Sequence, residues 1–388
     1  MGWLKAMKSY GKIVLLLIYL AEICFTQQFD FSGYILNFSI YQNLKTEFAR
    51  SFNIDKNLFL ILGRIRLRPE FKFQRESSIY LEYEISTFFH SAKLFFNPNE
   101  ITLRRQLYKL KWNLINEQNI KAYHFVDRFY FRKDFDFGNL IIGRQRISWG
   151  TGRIWNPTDL FNPINPADFS KIEKDGADAL TMKIYLGNFT DLHLVFNPND
   201  KFKNNNFGFR LRSNLRKIDF SFMSGIFDKR AIAGFDFAGN FFNAAIRGEA
   251  IISADLKNLN SNFTKFVLGF DNQFTKGLYA LIEYYFNGEG KTKKEEYEIE
   301  RLIKGEILNL SKNYVYSSVI YNFNPILSLS LSANKNLNDK SGFISSLIHC
   351  SLSDNSELGL GVILFFGDSG DEYWYYSTSV FLKIQLFF

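Results

Sequence analysis

The chain ends in Trp374-Tyr-Tyr-Ser-Thr-Ser-Val-Phe-Leu-Lys-Ile-Gln-Leu-Phe-Phe388, an alternating run of large apolar and smaller or polar residues. On an extended strand, side chains two residues apart share a face. Leu382, Ile384, Leu386 and Phe388 therefore line one side, with Trp374, Tyr376 and Val380 above them, while Lys383 and Gln385 point the other way. In a soluble sheet this strand would leave a long apolar edge of the kind natural proteins avoid. On a barrel wall facing lipid, the same alternation is what the surroundings demand.

The pattern extends back through the chain. Asn57–Arg68, Ala122–Arg132, Asn139–Ser148, Phe207–Arg212, Phe263–Asp271 and Leu278–Phe286 all alternate, and turn residues separate them. Phe 44, Tyr 20 and Trp 5 make the chain 18% aromatic, a density suited to girdles at two membrane interfaces. No stretch approaches the roughly 20 consecutive apolar residues of a spanning helix. The expected fold class is all-β: one transmembrane antiparallel β-barrel over residues 27–388.

Residues 1–26 read as a secretory signal peptide. Lys5, Lys8 and Lys12 precede the apolar run Ile13–Leu20, with cleavage expected near Cys24–Gln28. Without that segment Cys350 is the one remaining cysteine, so no disulfide staples the fold. Loss of three Lys and one Glu takes the net charge from +8 to +6, too diffuse for a nucleic-acid surface.

Loop lengths give the strand count. Single-chain bacterial barrels have an even number of strands, with short turns inside the cell envelope and longer loops outside. Counted back from the last strand, linkers at Asn324, Gly277, Gly239, Asn214 and Gly187 fall on the periplasmic side. The long segments 287–313 and 150–177 fall outside. About 18 strands result, within 16–20, with long extracellular loops. Within the outer segment 293–310, Ile299, Leu302, Ile303, Ile307 and Leu310 predict a short amphipathic helix, while 104–114 reads equally as helix or strand.

The segment Gly143-Arg-Gln-Arg-Ile-Ser-Trp-Gly-Thr-Gly152, followed by Asn156-Pro-Thr-Asp159 and Asn162-Pro163, resembles a group of uncharacterised porin-like bacterial outer-membrane barrels that carry a G-R-Q-x-x-x-W-G motif. It is similar, more distantly, to the alginate-export type of barrel. The matching stretch runs over about residues 127–179 and implies a strand rising into a structured loop, with no statement about cargo. The terminal Phe388 likewise resembles the insertion signal read by the barrel-assembly machinery of Gram-negative bacteria.

Arginines distinguish the two faces. An Arg facing lipid at the bilayer midplane costs roughly 2–4 kcal/mol. Arg64, Arg66 and Arg68, spaced by two, must therefore face the lumen. The same argument turns Arg128 and Arg132, Arg144 and Arg146, and Arg210 and Arg212 inward. Phe125, Phe129, Phe131, Ile141, Ile147, Phe209 and Leu211 then face lipid. Glu82, Glu84 and Glu283 are inward acids. Nine arginines against fewer acids predict a basic wall and a pore biased toward anions. The loop that begins at Trp149, with Asn156 and Asp159, is expected either to fold inward as a constriction or to pack on the surface.

His90, His124, His193 and His349 show no metal-site spacing, and no nucleophile elbow is present, so no catalytic residues, metal or cofactor are assigned. The reading is a non-enzymatic outer-membrane channel, partnered by lipid and by small hydrophilic, anionic solutes. A dedicated exporter or importer of one compound class such as a polysaccharide, and a closed structural or adhesive barrel, are the alternatives.

Overall fold

In the computed structural model the described residues are 28–388, except 52–54, 74–75, 92–104, 162–172, 243, 256, 259–260, 275–276 and 304. The signal segment lies outside them. The strands are β1 (Gln28–Asn43), β2 (Asn57–Phe73), β3 (Ser77–His90), β4 (Lys111–Asn116), β5 (Ile120–Phe135), β6 (Gly138–Gln145) and β7 (Ala177–Tyr185). Next come β8 (Asp191–Asn197), β9 (Asn206–Leu215), β10 (Ile218–Phe227), β11 (Arg230–Phe241), β12 (Ala244–Asp255) and β13 (Phe263–Gln273). The wall finishes with β14 (Leu278–Asn287), β15 (Asn313–Asn324), β16 (Leu327–Asn336), β17 (Gly342–Ser353), β18 (Ser356–Phe366) and β19 (Thr378–Phe387).

Every neighbouring pair is antiparallel, and β19 pairs with β1 through Asn37↔Ile384 and its neighbours, which closes the sheet. Of the nineteen strands, β4 bonds only to β5, while β3 pairs directly with β5. Eighteen strands therefore form the closed ring. Closure is what stabilises such a wall, because it leaves no unpaired edge in lipid.

The last strand is built as its alternation requires. Val380, Leu382, Ile384 and Leu386 are exposed on the outside, and Ser379, Phe381 and Gln385 are buried on the inside. The ladder runs on to Phe388, whose carbonyl accepts from the Gly33 N–H. The strand begins at Thr378, later than its periodicity suggests, because residues 372–375 form a 3-10 turn that tucks Tyr373 into the lumen-side core.

Turn positions differ from the glycine and asparagine signals in two places. Asn214 and Gly239 lie inside β9 and β11, and the chain reverses about two residues later, at Arg216–Lys217 and Phe242. These non-glycine residues take positive φ, which sequence cues for turns do not anticipate. The end of the barrel is nevertheless the expected one. All five linkers lie at the rim of short connections, and segments 146–176 and 288–312 lie at the other.

The amphipathic segment of the long loop forms only a 3-10 turn at Lys294–Glu296 and a five-residue helix, α1 (Ile299–Ile303). Gly305, at φ 67, stops it: the Gly305 N–H returns to Leu302 and the Glu306 N–H to Arg301.

Two local irregularities redirect residues expected to face lipid. At Asp127 the β3–β5 register slips, since Glu82 opposes Arg128 whereas Tyr83 opposes Val126. The bulge inverts the alternation above it, so Phe125 lies opposite Glu84 on the lumen side. Phe129 and Phe131, below the bulge, are exposed outside. On β6 the exposed residue is Ile142, and Ile141 opposes the inward Arg132. Ile147 is buried inside, because β6 ends at Gln145 and the chain leaves the wall there. The segment 105–116, β4 included, takes up the hydrogen-bonding side of β5 that β6 vacates, where the Val126 N–H donates to Leu110, and its start accepts from β7 through the Asp178 N–H to Arg105.

Candidate functional site in the lumen

β1, β2, β3 and β5 bring a compact ion-pair cluster to the inner wall. Arg66, 5% exposed, sits opposite Glu84 in the β2–β3 ladder and beside Tyr34 of β1. Its guanidinium donates to Glu84, to Glu82 (2.9 Å) and to Asp127 (2.9 Å). Arg128 donates to the other oxygen of Glu82 (2.7 Å), and Arg64 lies 3.6 Å from Glu84. Arg68 reaches Glu82 at 3.2 Å and stands over the Tyr34 ring. The eighth member is Glu173, which arrives from the loop and bonds Arg66, Arg68 and Arg128. Burial alone would raise the Glu173 pKa, but these three guanidinium groups hold it below the ordinary carboxylate range. Four arginines and four carboxylates cancel, so this wall is polar without being basic.

The rest of the loop is fastened to the opposite wall. After Gln145 the chain enters the barrel. Trp149 buries itself against Phe161 and Phe227 and donates its indole N–H to His193 Nδ1 (3.1 Å). The N–H groups of Thr151, Gly152 and Thr158, with the Thr158 hydroxyl, all donate to Glu249 of β12. Those of Arg153 (2.9 Å), Ile154 and Trp155 (2.8 Å) donate to Glu283 of β14. Trp155 stacks on Tyr285 at 5.2 Å, inside an apolar cluster with Tyr314, Phe343 and Phe381. Gly150 takes φ 99, which L side chains rarely adopt, and a Cβ there would meet Glu249, Thr158 and Asn156. The glycines thus let the backbone wrap two inward carboxylates.

Of the residues expected to form a constriction, Trp149 and Asp159 are anchors with almost no exposed surface. Asp159 is bonded by Lys174 and by the Phe161 N–H, and the Asn156 carbonyl accepts the Asp159 N–H. Arg153 of this loop is exposed beside the wall, 3.8 Å from Asp271.

Eight of the nine arginines expected inward are ion-paired. Arg210 pairs with Asp236, Arg212 with Asp191 and Arg132 with Asp134. Arg144, expected in the lumen, instead stands in register with the outward Phe129 and two residues from the outward Ile142; there Asp178 and the carbonyls of Val126 and Tyr108 enclose it, so that it clamps segment 105–110 to the wall with almost no contact with water. Arg146 is exposed and, among the described residues, has no ion-pair partner. Sequence reasoning missed Glu249, Asp236 and Asp271, although the argument applied to the arginines finds them. Each alternates with outward residues, as in Phe235-Asp-Phe237 and Gly248-Glu-Ala250, with the outward Ile246 and Ile252 to either side. Asp127, at a bulge, and Glu173, in a loop, carry no periodic signal.

Above the lumen, three outer loops meet at Glu372. This buried carboxylate accepts from the Leu310 N–H (3.0 Å), the Tyr314 hydroxyl (2.5 Å) and Asn336 Nδ2 (2.9 Å), and its own N–H donates to Asp339. Burial pushes its pKa up to about 7, against the pull of those donors. A carboxyl raised in the folded state stabilises the fold fully below its ordinary pKa of about 4.5, and that contribution fades as pH rises to about 7. The difference is on the order of 3 kcal/mol. Amide protection in segments 306–312 and 368–376, corrected for intrinsic exchange, should therefore fall between pH 4.5 and 7, and Glu372→Gln should flatten the dependence. Protection that rises with pH in the wild type would contradict this.

No protein-family model matches the chain, and no curated protein matches it. Solved structures do. OccK9 (OpdG) of Pseudomonas aeruginosa superposes with a TM-score of 0.59 at 7% identity, over 93% of this chain and 98% of that one. A BenF-like porin from Pseudomonas fluorescens gives 0.58 at 9% identity, over 93% and 98%. OccAB4 of Acinetobacter baumannii gives 0.57 at 10% identity, over the same shares. The chain has the fold of outer-membrane porins. At these identities the likeness is one of architecture, and the residues that line the lumen have to be read from this chain alone.

Proposed function

We propose that this protein is an outer-membrane channel for passive passage of small hydrophilic solutes. Its long loops face outward, its signal segment is removed on export, and the barrel-assembly machinery inserts it. One observation carries the reading: a loop drawn into an eighteen-strand barrel and fastened to carboxylates of one wall and to arginines of the other. Eighteen strands leave room for an aqueous passage, and a pinned loop narrows it without needing to fill it.

The finer element is a preference for anions. Because the cluster around Arg66 is neutral while Glu173 is docked, that preference is modest in the wild type. It rests on Arg146, which has no ion-pair partner among the described residues, and on Arg153, which shares Asp271 with Arg247. A carboxylated solute competes with Glu173 for the same guanidinium groups. Reversal potentials of reconstituted protein in a KCl gradient test this. The wild type should be weakly anion-selective and Glu173→Gln more strongly so, with both losing selectivity near 1 M salt, where the screening length is about 3 Å. A cation-selective wild type overturns the anionic element. The two packed apolar clusters inside the wall favour a closed barrel as the second reading, and proteoliposomes that admit no small neutral sugar would establish it.

A further inference from the structure

The rim of short connections is apolar at its tips as well as on its walls. Phe137 in the β5–β6 turn, Phe189 in β7–β8, Phe242 in β11–β12, Phe274 in β13–β14 and Ile326 in β15–β16 are all exposed, Phe242 by 89% and Phe189 by 70%. These positions lie past the strand ends, where a turn facing water carries polar residues.

Turn geometry does not explain the choice. At the opposite end, the β10–β11 reversal Asp228–Lys229 has φ of 50° and 66° and carries two charges. Phe242 holds the same left-handed conformation, φ 53°, which is costly for a bulky side chain and which Asn or Gly would adopt freely. The sequence keeps Phe there against the local preference.

The tips are also continuous with the lipid-facing wall. Phe137 stacks on the outward Phe135 at 5.2 Å, and Phe242 meets the outward Phe241 at 4.6 Å. Among the described residues of this arc, the β9–β10 turn carries an Arg216–Lys217 pair in place of an apolar tip, which supplies two cations between Leu215 and Ile218. Apolar rings beside basic groups are the composition of a surface lying at the boundary between lipid headgroups and acyl chains.

We propose that the turns from β5 to β16 are a lipid-binding rim, sunk into the interfacial zone of the adjacent leaflet, with Phe137, Phe189, Phe242, Phe274 and Ile326 below the headgroups and Arg216 and Lys217 at the phosphates. This part of the rim does not stand in water. It offers no free apolar surface to the compartment beneath.

Environment-sensitive probes test the placement. Single cysteines at Phe242, Phe189 and, as the water-facing control, Lys229 are introduced in a Cys24→Ser, Cys350→Ser background. Each is labelled with a polarity-sensitive fluorophore and reconstituted into phosphatidylethanolamine–phosphatidylglycerol vesicles. Probes at 242 and 189 should emit blue-shifted light and be quenched several-fold more by phospholipid brominated near the headgroup than by aqueous iodide, with the reverse at 229. Two positions keep the test open if one variant misfolds. Iodide quenching at 242 and 189 equal to that at 229 overturns the proposal. Protection from both quenchers also overturns it, since the occupant is then protein, such as a second copy.

Discussion

A Glu249→Ala, Glu283→Ala double variant should pass several-fold more current per open channel than the wild type while remaining a folded barrel. The two carboxylates together accept seven hydrogen bonds from residues 151–158. Each buried donor left without an acceptor costs about 1–3 kcal/mol, so the loop cannot keep its present path once both are gone. The strand ladders do not involve these side chains, and heat-modifiable gel mobility should stay that of a closed barrel. Glu→Gln at both sites should have a smaller effect, because an amide oxygen still accepts. Unchanged conductance in a folded double Ala variant would mean that the loop does not narrow the passage.

The second large effect is on stability. Arg66→Gln removes the one cation that bridges Glu82, Glu84, Asp127 and Glu173. Breaking a buried ion pair from one side typically costs about 3–5 kcal/mol, because the partner charge is left uncompensated. Urea unfolding of the reconstituted barrel should show a loss of that order. Adding Glu84→Gln, which restores three arginines against three carboxylates, should recover much of it. A loss below about 1 kcal/mol, the range of exposed pairs, would show that water already solvates the cluster.

How far the sequence could be read follows from what each feature depends on. The barrel was legible because its cause is local: alternation with a period of two forces Leu382, Ile384 and Leu386 to one face. The inward turn of Arg64, Arg66 and Arg68 followed from the same period. Neutralisation of those arginines was not legible, because it depends on which strands are neighbours and on a bulge at Asp127 that no periodicity announces. The lumen loop was half legible. Gly150 and Gly152 marked an ordered turn, but Glu249 and Glu283, which it wraps, lie some hundred residues away in the chain. Trp149 stands out in the sequence as a candidate for a constriction, and in the structure it is buried against Phe161 and Phe227. The short rim showed the opposite failure: Gly239 suggested the turn, and the chain reversed at Phe242 instead.

Single-channel recording of the wild-type protein in a planar bilayer decides whether a loop pinned to Glu249, Glu283 and the Arg66 cluster leaves a water-filled passage. Discrete, ohmic current steps in KCl are expected, enlarged in the Glu249→Ala, Glu283→Ala variant. A correctly folded, inserted barrel that carries no current in either form would contradict such a passage.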